Sequence, residues 1–229
     1  MKRIIEPELL DELPADDPRA VRSRRDLRRV NACMRNHAIM IRALQTGLNG
    51  PALKQITELG AGAGHFLLRV AEKMTPRRVN VSVTLLDRQR IVLPMTIASF
   101  ASLGWRAEAI VADVFDWPQV AAATEIVIAN LFLHHFDDAR LADLFRMIAG
   151  RARWFIAIEP RRARWPLLCS RLLWMIGCNS VTRHDAAVSI HAGFSDNELS
   201  ALWPAGNDWQ LTERHAGSFS HLFVARRTG

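Results

Sequence analysis

The sequence contains no tyrosine, which removes the phenol from the side chains available as a base. Cysteine is scarce: Cys33, Cys169 and Cys178 are the only three in 229 residues, and no two stand in a C-x-x-C spacing. Zinc sites and redox dithiols use such pairs, so the three are expected to be reduced core thiols, with no metal site. No apolar run is long enough to cross a bilayer. The longest, Trp165 to Cys178, is interrupted by Arg171 and falls short of the roughly 20 residues a span needs. The apolar run in Met1-Lys-Arg-Ile-Ile-Glu-Pro is too short for a secretory signal. Internal repeats and low-complexity stretches are absent as well. A soluble, cytoplasmic chain is the expectation, and its length and 49% hydrophobic content suit one sizeable core.

What is present is a patterned glycine loop. A short apolar run, Gln55 to Leu59, carries Glu58 near its end, and Gly60, Gly62 and Gly64 then alternate before a helical pattern begins at His65. Glycines between a strand and a helix let the backbone approach a ligand, and the helix N-terminus offers amide donors to it. A dinucleotide fingerprint would place its third glycine at position 65, which is His65. The spacing here is G-x-G-x-G, with a carboxylate two residues ahead. A pyrophosphate has no use for that carboxylate, whereas a cationic amine does.

Three further apolar runs also end in polar side chains. Val81 to Leu86 ends at Asp87, 23 residues after Gly64; Ala109 to Ala112 ends at Asp113; Glu125 to Ala129 ends at Asn130. Helical stretches near 65–75, 91–103 and 138–150 alternate with these runs. That alternation predicts a mostly parallel α/β sheet, with ligands at the carboxyl ends of its strands. Near the end of the chain, Gln210–His215 and Ser218–Arg226 flank Ala216-Gly217 and read as a hairpin.

The ordered set Glu58-Leu-Gly-Ala-Gly-Ala-Gly64, Leu86-Asp87, Ala112-Asp113 and Asn130-Leu-Phe-Leu-His-His-Phe136 resembles the class I methyltransferases that depend on S-adenosylmethionine (SAM). It is most similar to their small-molecule branch, which includes the quinone-biosynthesis methylases. The resemblance spans roughly residues 52 to 160. It implies a Rossmann-like, doubly wound sheet of seven strands, mostly parallel, with an antiparallel strand supplied by the C-terminal hairpin. It also implies that SAM is the cofactor and S-adenosylhomocysteine (SAH) the product. Glu58 would lie near the methionine amino group, and the backbone of Gly60, Ala61, Gly62 and Gly64 would pass under the cofactor. Asp87, with Arg88 beside it, would hold the ribose. Asp113 and Val114 would meet the adenine, and Asn130 would face the methionine end. Residues 1–50 then read as an N-terminal arm and helical lid, and residues 51–229 as the SAM-binding domain with a substrate-side insertion at about 161–194.

Ahead of this unit, residues 1 to 18 hold three prolines and read as an irregular arm. Arg19 to Arg29 contains six arginines against one aspartate, and Leu27, Val30, Met34, Ala38, Ile41 and Leu44 follow at helical spacing. This predicts one amphipathic helix that ends at Gly47 and the Asn49-Gly50-Pro51 turn. The helix either packs beside the sheet or covers the cofactor, with Asn31, Asn36 or His37 facing the site. A net charge of +7 raises nucleic acid as a partner. Against that, nucleobase amino-methylation commonly uses an Asn/Asp-Pro-Pro-aromatic turn where this chain has Asn130-Leu-Phe-Leu, and no cysteine follows a proline. Nucleic acid is therefore not the expected partner.

On the substrate side, His134 and His135 follow the fourth apolar run directly. A histidine there can deprotonate a phenol or enol, or it can serve the loop structurally. Glu159-Pro160 closes a fifth run and offers a second base. His184, between Arg183 and Asp185, is the third histidine candidate, with a surface charge cluster as its alternative. Ala163 to Cys178 is apolar all round, so it is expected either in the core or against a greasy substrate. Ser195-Asp-Asn-Glu198 has the pattern of a capping box. The expected reaction is O- or C-methylation of a small hydroxylated acceptor of phenolic, quinol-like or polyketide-like character. An RNA or protein methyltransferase and a SAM-binding protein without transfer activity remain alternatives. Oligomeric state is not legible.

Overall fold

Glycine turns and apolar runs organise a seven-stranded sheet in the computed structural model, which describes residues 1–47, 54–74 and 80–228. Strands β1 (Gln55–Leu59), β2 (Ser82–Asp87), β3 (Arg106–Val111), β4 (Ile126–Asn130) and β5 (Trp154–Pro160) pair in parallel in the order β3-β2-β1-β4-β5. The chain ends in the expected hairpin of β6 (Trp209–Ala216) and β7 (Ser220–Arg227). β7 inserts antiparallel between β5 and β6, so it is the one reversed strand. The sheet order changes direction between β1 and β4, and such a switch point opens a crevice at the strand carboxyl ends.

Ten helices accompany the sheet among the described residues: α1 (Leu9–Glu12), α2 (Pro18–Met34), α3 (Asn36–Gly47), α4 (His65–Met74), α5 (Pro94–Ser102), α6 (Trp117–Val120), α7 (Asp138–Arg151), α8 (Arg164–Ser170), α9 (Ser180–Ala192) and α10 (Glu198–Leu202). Two apolar cores follow from the strand alternation. On one face Ile56, Val83, Leu85, Ile126, Ile128, Ile156 and Ile158 meet α3, α4 and α5 through Met40, Leu44, Leu67, Val70 and Phe100. On the other, Leu59, Leu86, Val127, Ala129, Phe155 and Phe223 meet α7 and α10 through Leu141, Leu144, Phe145, Ile148 and Leu199. Every residue of β5 is buried, because it is flanked by strands on both edges and covered on both faces.

The structure corrects three sequence expectations. The single long N-terminal helix is two, broken at Arg35, whose φ of 59° caps α2 in the left-handed region. Only α3 joins the sheet core; α2 turns Leu27, Arg28, Asn31 and Ala32 toward the crevice. The Asn49–Pro51 turn lies outside the described residues. The three cysteines are free, yet only Cys178 is buried and Cys33 is exposed, since Cys33 falls on the outer face of α2. The arm is irregular apart from α1, as expected, and it is pinned to the body. Arg3 donates to Ala192 O, Phe136 O and Asp138, and the amides of Leu9 and Leu10 donate to the Asp185 carboxylate at 2.9 and 3.0 Å.

The third correction concerns the insertion. Its apolar residues neither fill a core nor line the crevice: Trp165, Leu168, Leu172, Trp174, Met175 and Ile176 are exposed. Half of the expected capping box forms, with the Ser195 N–H donating to Glu198 at 3.0 Å. The Ser195 hydroxyl accepts from Arg162 instead.

Candidate active site

At the switch point lies a cleft of about 1360 Å³. Its floor begins where β1 ends. Gly60, Gly62 and Gly64 all have positive φ, at 65°, 56° and 74°. A Cβ on Gly60 would sit 2.2 Å from the Phe132 ring, whereas one on Gly62 would meet nothing within 4 Å. Gly60 is thus required for packing against the β4 loop, and Gly62 leaves the backbone bare toward the cleft. The turn is locked to β2 by the Ala61 N–H donating to Leu86 O at 3.0 Å.

Asp87 completes that lock. Its Oδ2 accepts the Gly62 N–H at 2.7 Å and its Oδ1 accepts the Gln89 N–H at 2.8 Å. Burial pushes its carboxyl upward, against these amides and the Arg88 charge. Glu58, on the α4 face of β1, is almost fully buried at 2% exposure. Its Oε2 has no hydrogen-bond partner among the described residues. Burial and the nearby Asp87 charge raise its carboxyl well above the usual range. Among the described residues the Leu67 amide is its one hydrogen-bond partner; a buried carboxylate so thinly partnered is costly to ionise, and a cation brought to the cleft floor offsets that cost.

The sequence candidates converge here. Glu58, Gly60, Ala61, Gly62, Asp87, Arg88, Asp113, Val114, Asn130, His134 and His135 all line the cleft. Gly64 stands one residue behind the lining, turning the chain into α4. Asp113 caps the short 3-10 turn after β3 by accepting the Phe115 N–H at 2.9 Å. Arg88 pairs with Asp11 at 3.2 Å. Asn130 sits in an amide cluster: its Nδ2 donates to Asn31 Oδ1 at 3.0 Å, and Asn36 Nδ2 donates to both oxygens, at 2.9 and 3.1 Å. Leu131 then takes φ 54°, a strained choice for a branched residue that turns the chain sharply into the histidine loop.

The two histidines have different surroundings. His134 is buried between two carboxylates, with Nδ1 at 2.7 Å from Glu159 Oε2 and Nε2 at 3.2 Å from Glu8 Oε1. Burial disfavours its charge, but hydrogen bonds to Glu159 and Glu8 outweigh burial and raise it to about 9. In turn Glu8, itself buried, is held down at about 2 chiefly by its bond to His134. His134 is therefore an imidazolium at neutral pH. His135 stacks beside it at 4.4 Å and lies 3.4 Å from Asp11. Burial and the neighbouring charge on His134 lower its pKa, so His135 is the neutral imidazole of the pair.

Two candidates lie elsewhere. Glu159 accepts the Phe132 and Leu133 amides at 3.0 and 2.9 Å and is fully buried away from the cleft lining. His184 is half exposed on α9, 3.1 Å from Asp185, and does not line the cleft. Asp185 is instead engaged in capping α1. Sequence reasoning missed Glu8, Asp11 and Arg24, all in the lining. Glu8 and Asp11 come from the arm, more than 100 residues before the histidines they pair with, and Arg24 of α2 donates to Gln89 after β2; no local pattern links any of them to the site.

Residues 56–153 match the family model described as a methyltransferase domain. No curated protein matches the chain in sequence. Among solved structures, the plantazolicin methyltransferase BpumL in complex with SAH superposes with a TM-score of 0.65 at 11% identity, over 93% of this chain and 91% of that one. Magnesium protoporphyrin IX methyltransferase from Synechocystis PCC 6803, with bound SAH, gives 0.52 at 12% identity, over 85% and 83%. A putative O-methyltransferase from Nostoc punctiforme PCC 73102 gives 0.61 at 14% identity, over 99% and 64%. These likenesses carry the fold. The methyltransferase-domain match covers residues 56–153 of that fold, from β1 to the start of β5.

Proposed function

We propose that the protein transfers a methyl group from SAM to oxygen, or to an activated ring carbon, of a small hydroxylated acceptor. The donor set fits the cofactor. Glu58 offers a buried carboxylate with one unpartnered oxygen to a cationic amine, Gly62 leaves open backbone, and the Asp87 oxygens retain lone pairs for ribose hydroxyls. Asp113 and Val114 stand at the adenine end of the cleft, and Asn130 at the methionine end. When bound, SAM supplies an electrophilic methyl group. The protein's own task is to orient the acceptor, exclude water and receive one proton.

His135 is the residue assigned that proton. It lines the cleft, its pKa is lowered, and the cationic His134 stacked on it keeps it unprotonated at neutral pH. This observation carries the proposal, because a neutral imidazole is the form a base requires. His134 is a positioning residue: its ion pairs with Glu8 and Glu159 hold the loop and set the field at His135. Phe132 and Phe136 form an aromatic wall with His135, with ring centroids 5.1 and 6.5 Å apart. Ile5, Leu10 and Leu27 add apolar surface. That lining suits an aromatic or otherwise apolar acceptor better than a charged one. The acceptors named for two structural neighbours, plantazolicin and magnesium protoporphyrin IX, support a small-molecule acceptor.

Phenolic, quinol-like and polyketide-like compounds should be methylated in a screen with labelled SAM, whereas amines, RNA and protein should not. Turnover confined to RNA or protein would sink the proposal.

A further inference from the structure

The insertion after β5 carries apolar surface that the reaction does not use. Within the twelve residues from 165 to 176, Trp165, Leu168, Leu172, Trp174, Met175 and Ile176 are 39% to 65% exposed. Trp165, Leu168 and Leu172 recur at helical spacing on α8 and its exit. Trp174, Met175 and Ile176 follow on a single 3-10 turn closed by Gly177 at φ 78°. Six exposed apolar side chains grouped this closely along the chain mark an interaction surface. None of the six lines the cleft.

Charge identifies what covers it. Residues 160 to 184 contain five arginines and no lysine, aspartate or glutamate. Arg164, Arg171 and Arg183 are exposed and have no ion-pair partner among the described residues. The adjoining α2, in contact with α9, adds exposed Arg22 and Arg25. Exposed tryptophans and leucines ringed by unpaired arginines are what a headgroup interface accommodates. The apolar side chains enter the acyl boundary, and the guanidinium groups meet lipid phosphates. A second copy of this chain would instead bring like charge against like charge.

We propose that the α8 segment docks the protein on an anionic lipid surface. This rests on the exposed patch alone and does not depend on the acceptor assigned above. The region also adjoins the cleft: α8 packs on α9, which contributes Ser189 to the lining.

Vesicle flotation tests it on the full-length protein. Phosphatidylcholine vesicles containing phosphatidylglycerol should carry the protein upward, pure phosphatidylcholine vesicles should carry much less, and added salt should release it. The double variant Trp174→Ser/Met175→Ser should weaken binding by about tenfold or more. Arg164→Glu/Arg171→Glu should abolish the preference for anionic lipid. Melting curves for both variants should overlay the parent's, since all four side chains are exposed. The proposal fails if the parent does not float, if it floats equally with neutral vesicles, or if neither variant changes flotation. Self-association in sedimentation velocity that Trp174→Ser/Met175→Ser removes, without vesicle binding, would assign the patch to a second copy instead.

Discussion

Glu58 shows how a single side chain ties cofactor binding to pH. Its carboxyl is raised by burial and by Asp87, so in the free protein it holds a proton that a carboxylate at the surface would have lost. Pairing with a cationic amine favours the charged form. Binding of SAH should therefore release a proton from Glu58, and affinity should rise as pH climbs toward the raised pKa. Calorimetry in buffers of different ionisation enthalpy measures that proton directly. Glu58→Gln should bind more weakly and release none; an unchanged proton count would remove Glu58 from the amine site. Asp87→Ala should cost on the order of 1–3 kcal/mol in SAH affinity, because ribose bonds are lost and the Gly62 and Gln89 amides lose their acceptor.

The histidine pair gives a second prediction at this scale. His135 must be neutral to act, so kcat should fall as pH drops through its lowered pKa and stay level above it until His134 loses its proton near 9. His135→Ala should reduce kcat by about 10²–10⁴-fold and leave SAH affinity intact. His134→Gln should move the acid limb of the pH–rate profile upward, because the charge that depresses His135 is gone. A profile unmoved by His134→Gln would mean the two rings are not coupled. Residues such as Glu58, Asp87, Asp113 and Asn130 were legible in sequence because each ends a strand, and strand ends converge by topology. The protonation states of His134 and His135 were not, since they depend on Glu8 and Glu159, which lie 126 and 25 residues away in the chain.

At the scale of elements, strand and helix positions followed from apolar periodicity wherever the sheet core decided the outcome. The helices at 65–74, 94–102 and 138–151 and the terminal hairpin fall within a few residues of the sequence reading. The extent of the N-terminal helix differs from the sequence reading because α2, unlike α3, makes polar contacts with α9 and its cap. Asp26, fully buried on α2, accepts the Asn179 N–H at 2.8 Å, and Ser23 bonds Thr182 at 2.8 Å. A hydrophobic pattern does not register such an interface. The insertion was misread for the converse reason: apolar composition predicts burial only when another surface is available to cover it.

The arm's link to the histidine loop also makes stability depend on pH. His134 is raised to about 9 from an ordinary 6.5, so its contribution is complete below the unfolded pKa and disappears as pH rises through about 9. Glu8 is depressed to about 2 from 4.5, so its contribution is complete above 4.5 and disappears as pH falls toward about 2. Both shifts describe one ion pair and are not additive; together they place its full effect between about 4.5 and 6.5. Glu8→Gln should lower the melting temperature most in that window and little at high pH, where His134 is neutral in the parent as well. Melting curves at a series of pH values check this, and an equal loss across the range would assign Glu8 a packing role only.

For the whole molecule, residues 1–17 pack outside the two apolar cores of the sheet, and within that stretch only Glu8 is buried. Apolar burial is the main favourable term in folding, so a chain lacking residues 1–17 should still melt cooperatively. It should also keep SAH affinity within a few-fold, because Glu58, the glycine turn and Asp87 are all placed by β1, β2 and α4. Acceptor turnover should behave differently. The arm supplies Ile5, Glu8, Leu10 and Asp11 to the cleft wall, and Glu8 helps hold His134 charged. Its removal should lower kcat/KM for the acceptor by at least about tenfold, roughly 1.4 kcal/mol of transition-state stabilisation. A truncated protein that binds SAH and turns over its acceptor normally would show that the arm is dispensable, and the acceptor pocket would then have to lie within residues 18–228 alone.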